Sequence, residues 1–192
     1  MSLRRTPTQV ALSYHIDTKV LVTIRSEQLL WNREAPMTTT VHRPSATLMA
    51  ATAHHAELLE RLAGRVEAFV ETVRSGSSPE PSRSELLDFL RADLVPHTRV
   101  EDDLLYRAVR TDKTALLGRA MQHEHRVIAA LIDDVEQGAT NVDAAIAAGA
   151  LLALCEVRIA QENTHLLPAL EAAGLDLSEL LGNRPELVGS TA

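Results

Sequence analysis

From Pro44 onward the chain alternates apolar and polar residues with the period of a helix. Leu48, Thr52, His55, Leu59, Leu62, Val66, Phe69 and Val73 recur at steps of four and three, which places them along one seam of a helix in a bundle. Ser75-Gly76-Ser77-Ser78-Pro79-Glu80-Pro81 breaks that helix and predicts a loop. A second helix starts with Ser82 or Ser84 as cap and carries Leu86, Leu90, Asp93, His97, Glu101, Leu104 and Ala108 on its seam. Pro96 removes a backbone donor inside it, so a kink or irregular turn is expected just before His97. After Thr111-Asp112, a third helix presents Leu117, Met121, His125, Ile128, Ile132 and Val135 and stops at Gly138. The fourth opens at Thr140 or Asn141. Its seam reads Leu151, Cys155, Arg158, Glu162, His165 and Ala169, with Pro168 near its end.

Four helices of roughly 25 to 30 residues, each some 40 Å long, joined by short loops, predict an all-α antiparallel up-down-up-down four-helix bundle over residues 44–182. Residues 1–43 do not share the pattern. Val20-Leu21-Val22-Thr23-Ile24 reads as a strand and Gln28-Leu29-Leu30-Trp31 as a short helix, but neither has an evident partner, so a poorly ordered extension is expected. Met37 stands just before the patterned domain and is read as the natural start. Residues 174–182 predict one short helical turn, and 183–192 a tail.

Composition supports this picture and narrows the chemistry. Apolar residues make up 45% of the 192 and aromatics only 3%, a balance that favours aliphatic helix packing over a β-sandwich. The formal charge of −7, without a block of basic residues, argues against nucleic acid as a partner. Cys155 is the sole cysteine and sits in an apolar run, so it reads as a buried inert thiol in a reducing compartment. His15, Asp17 and Lys19 interrupt the apolar residues near the N-terminus. No signal-peptide core or spanning segment results, and a cytoplasmic protein without a membrane partner is expected.

The stretch from His97 to Glu101 is where chemistry first shows. Residues four apart share a helix face, so this imidazole and carboxylate reach one point. Alone, the spacing equally describes a solvated ion pair. Every other seam, however, also carries ionisable groups: His55 on the first, His125 on the third, Arg158 with Glu162 on the fourth. Burying so many is costly unless they pair or coordinate a metal, and the set suits iron, manganese or zinc. The competing reading is a bundle whose central His and Glu are satisfied by hydrogen bonds and buried water.

Four segments together resemble the hemerythrin-like family of HHE cation-binding domains, across roughly residues 45–175: His55-Ala56-Glu57-Leu58-Leu59; Leu94-Val95-Pro96-His97 through Glu101 to Tyr106; Glu124-His125-Arg126-Val127-Ile128; and Gln161-Glu162-Asn163 through Leu170. The resemblance implies a non-haem di-iron centre, with His55, His97 and His125 as terminal ligands and Glu101 and Glu162 as bridges. It further implies a small ligand such as dioxygen, nitric oxide or peroxide. One position departs from the family pattern: Arg158 stands where a His precedes the fourth-helix Glu by four residues. A guanidinium is a permanent cation without an acceptor and cannot ligate.

Three readings of the site follow: one metal held by His55, His97, Glu101 and Glu162; none; or two, with His165 replacing the missing ligand. Three functions follow in turn: a metal protein that binds or senses a small ligand, an enzyme disproportionating peroxide at the same site, or a metal-free degenerate bundle acting through protein interaction. Asp102 and Asp103 read as solvated, and Met121 as core packing.

Overall fold

A computed structural model describes residues 44–108, 112–182 and 184–189. The expected N-terminal extension, the reading of Met37 as a start and the Thr111 part of the third helix's cap lie outside the described residues. Those described form helices and no strand.

Helix α1 (Ala46–Arg74) is opened by Ser45, whose side chain accepts from the Leu48 N–H, and it buries Leu48, Ala51, His55, Leu58, Leu62, Val66 and Phe69. Gly76, at φ 70°, turns the chain after it, a conformation that glycine adopts without steric cost. Helix α2 (Glu80–Phe89) begins earlier than the serine caps predicted. Pro81 falls in its first turn, where the fixed φ of proline is already helical and its missing N–H costs nothing.

A π-helical turn over Leu90–Leu94 leads into α3 (Val95–Ala108). Helix α4 (Asp112–Gln137) ends before Gly138. Helix α5 (Asn141–Gln161) is opened by Thr140 and Asp143, each side chain accepting from the other's backbone N–H, a capping box. A second π turn, Glu162–Leu166, leads into α6 (Leu167–Ala172). Two short helices complete the chain, α7 (Leu177–Leu181) and α8 (Pro185–Val188). Sequence reading expects a tail from 183, yet Leu187 is buried and α8 packs on α1 and α3.

The two π turns have one cause. In the first, the Val95 N–H reaches back five residues to the Leu90 carbonyl, and in the second the Leu167 N–H reaches Glu162. Pro96 and Pro168 follow immediately. A proline cannot donate and its ring strikes the carbonyl four residues back, so a wider turn placed just before it relieves the clash. The irregularity expected before His97 is therefore present. Its twin before Pro168 was not foreseen, and the extra residue it inserts rotates the seam: Leu166, Leu167 and Leu170 are buried, while His165 is exposed.

Helix α5 packs against α4 and α1, and α1 packs against α2. The apolar interior falls into two clusters. One gathers Leu58, Leu62, Phe69, Leu86, Leu90, Ile132, Val135, Leu151 and Cys155; the other gathers Leu48, Leu105, Met121, Leu166, Leu170, Leu177 and Leu187. Met121 and Cys155 are core residues, as their sequence context predicts. Burial pushes the Cys155 thiol up to about 12, so almost no thiolate exists at neutral pH. A disulfide reagent at pH 8 is expected to detect no fast thiol in the native protein and one per chain after unfolding.

Candidate metal centre

Among the described residues seven polar or charged ones are buried: His55, His97, Thr98, Glu101, His125, Arg158 and Glu162. All but Thr98 belong to one constellation. Helix α1 supplies His55, α3 supplies His97 and Glu101, α5 supplies Arg158, and the second π turn supplies Glu162. Each of His55, His97, Glu101 and Glu162 offers one ligand atom, and the four atoms lie within 4.8 Å of one another. His97 Nε2 is 2.9 Å from Glu101 Oε1, while His55 Nε2 is 3.7 Å from Glu101 Oε1 and 3.9 Å from Glu162 Oε2.

Both imidazoles are aimed by their other nitrogen. His55 Nδ1–H donates to Asn163 Oδ1 at 2.7 Å, and His97 Nδ1–H donates to the Glu186 carbonyl at 2.6 Å. That bonding leaves the Nε2 lone pairs facing the carboxylates, the tautomer that a metal requires. His54, a neighbour on α1, donates from Nε2–H to the same Glu186 carbonyl at 2.8 Å. Its own charged form is disfavoured by partial burial and by His97.

Each carboxylate divides its two oxygens between two sides. Glu101 Oε1 and Glu162 Oε2 face the imidazoles. Glu101 Oε2 and Glu162 Oε1 face Arg158, whose Nη2 donates to them at 2.8 Å and 2.6 Å. Tyr106 Oη donates to Glu162 Oε1 at 2.8 Å and accepts from Arg158 Nη2. Buried without a hydrogen-bond partner are His125 Nε2 and Arg158 Nε on the arginine side and, on the imidazole side, His97 Nε2, Glu101 Oε1 and Glu162 Oε2. Orphaned acceptors of this kind, gathered at one point, are costly unless a cation satisfies them.

Electrostatics follow this division. Burial alone raises the Glu101 carboxyl, but Arg158 and then His97 outweigh it and hold the group well below the usual range. Glu162 moves the other way, to about 7, through burial and the charge of Glu101, with Arg158 opposing. One guanidinium thus compensates one carboxylate in full, and the second is left seeking positive charge. Burial lowers His97, yet the negative charge of Glu101 beside it outweighs burial and raises it net.

A family profile described as the hemerythrin HHE cation binding domain matches residues 50–170. The chain belongs to the hemerythrin HHE family. No curated protein and no solved structure matches it.

Against the hemerythrin pattern, the structure brings four of the five expected ligands together and places the fifth apart. His125 is buried, but its Nε2 faces Glu101 Oε2 at 3.3 Å, on the Arg158 side, and its Nδ1–H donates to Asp102 Oδ1 at 2.9 Å. Asp102, expected to be solvated, is therefore an orienting partner for His125. His165 is exposed and supplies nothing to the site. Tyr106, which the sequence places near the core without assigning it a role, bonds Glu162, while Asn163 and the Glu186 carbonyl were missed by sequence reasoning. Asn163 had one available signal, its place next to Glu162; a backbone carbonyl has none.

Proposed function

We propose that this hemerythrin-domain protein binds a non-haem metal ion, iron foremost with zinc and manganese as alternatives, through His55, His97, Glu101 and Glu162. We further propose an antiparallel up-down-up-down bundle, which is supported by the short links at 75–79 and 138–140 between helices that pack on one another. The observation that carries the metal reading is the convergence of three buried, unpartnered ligand atoms on the imidazole side.

Iron held by His55, His97, Glu101 and Glu162 would supply the chemistry to take up a small ligand such as dioxygen, nitric oxide or peroxide, which the protein would bind, sense or detoxify. The chain's own residues do the rest. Asn163 and Glu186 fix the two imidazoles, Glu101 and Glu162 provide anionic oxygens, and the two apolar clusters on either side exclude water. No helix among the described residues is long and apolar enough to cross a membrane.

A second reading, a metal-free degenerate bundle acting through protein interaction, is favoured by Arg158 pairing with both carboxylates. Anaerobic loading with ferrous ion separates the two. Metal binding predicts stoichiometric uptake and a stabilisation of about 2.7 kcal/mol at a hundredfold excess of ion over Kd, read as a higher melting temperature. A protein that stays metal-free with an unchanged melting temperature belongs to the second reading.

A further inference from the structure

We infer that the centre takes one metal ion and that Arg158 replaces the second ion that the family pattern provides for. This inference rests on the proposed metal binding.

The split of the carboxylate oxygens carries it. Two carboxylates that bridge a pair of ions present one oxygen to each ion. Glu101 and Glu162 are arranged in that way here, with Oε1 and Oε2, respectively, on the imidazole side and the remaining oxygen of each on the other side. The other side is already filled. Arg158 Nη2 lies 2.8 Å from Glu101 Oε2 and 2.6 Å from Glu162 Oε1 and also donates to Tyr106 Oη. It spans both oxygens, as a second cation would.

Satisfaction of the carboxylate oxygens shows the same asymmetry. The two oxygens facing Arg158 have hydrogen-bond partners, whereas the two on the imidazole side have none and lie beside the unpartnered His97 Nε2. The buried atoms without a partner on the Arg158 side are nitrogens, His125 Nε2 and Arg158 Nε, whereas on the imidazole side they include an oxygen of each carboxylate. Charge leads to the same count. One divalent ion beside the guanidinium sets three positive charges against two carboxylates, whereas two ions would set five against two in a space closed to water, where repulsion is screened least. Arg158 cannot step aside by losing its proton, because a guanidinium remains charged in proteins.

His125 fits this assignment. Its Nε2 faces Glu101 Oε2, the oxygen that Arg158 occupies, so it stands by the arginine and not among the four ligand atoms of the imidazole side. Its link to Asp102 makes it a positioning residue for that half.

Anaerobic titration of the full chain with cobalt(II), followed by visible absorption and metal analysis, tests the inference in wild type and in Arg158→His. One cobalt per chain in wild type, rising to two in Arg158→His, is the expected result. Two in wild type, or one in both proteins, overturns it. No uptake in wild type overturns the metal reading on which it rests, a different outcome from either. Should Arg158→His fail to fold, manganese(II) bound to wild type decides by electron paramagnetic resonance: an isolated-ion six-line signal supports one site, and a coupled-pair spectrum overturns it.

Discussion

Replacing Arg158 by methionine is expected to cost the metal-free protein about 3–5 kcal/mol of stability, the largest loss for any single substitution at this centre. Methionine fills much of the volume of the arginine side chain, so the cost is not chiefly one of cavity. It comes from the partners left behind: Glu101 Oε2 and Glu162 Oε1 both lose a charged donor in a place where neither is reached by water. The carboxylate now held low by Arg158 would have to take up a proton or remain an uncompensated buried charge. Urea unfolding in the presence of a chelator measures this. A loss below about 1 kcal/mol, the range of an exposed ion pair, would mean that the guanidinium is far less buried and less committed than its contacts indicate.

The second large effect separates metal affinity from stability. In Glu101→Gln, the amide oxygen is expected to turn toward Arg158, because a guanidinium needs an acceptor. The NH₂ group then faces His97 Nε2 and gives that orphaned nitrogen a hydrogen bond. The metal-free fold keeps much of its stability, while the ion meets a donor in place of an anionic oxygen. Affinity should fall by more than about 100-fold, beyond what losing a partner behind a ligand usually costs. Competition between the protein and a chromogenic chelator for cobalt reads the change. An affinity within threefold of wild type would remove Glu101 from the ligand set.

Much of this centre was legible in the chain. The steps of three and four that carry His55, His97, Glu101, His125, Arg158 and Glu162 inward follow from helix geometry, and all six are buried. The proline at position 96 announced an irregular turn, which is present. Legibility failed where the local period changed without notice. Extending a uniform seam past Glu162 put His165 and Ala169 inward, whereas the π turn before Pro168 brings Leu166, Leu167 and Leu170 in. Pro168 had the same warning value as Pro96, and its consequence for the register was not drawn.

A different limit applies to His125. Sequence places its imidazole on an inward face, but not on which side of Glu101 it lands. That depends on the relative rotation of α3 and α4, and on Asp102 being close enough to claim Nδ1. The role of Arg158 was half legible: its inability to ligate follows from chemistry, while its grip on both carboxylates required the fold.

The Glu186 carbonyl gives the centre a dependence on time. Ribosomal synthesis delivers His55, His97, Glu101 and Glu162 first, and the acceptor that fixes the His97 tautomer lies 89 residues after that histidine. Until α8 has emerged and docked, His97 keeps a free choice of which nitrogen to protonate, and half of those choices turn a proton toward the ligand position. A nascent chain would therefore carry all four proposed ligands before their geometry is set, and the proposed metal capture would wait for α8 to dock.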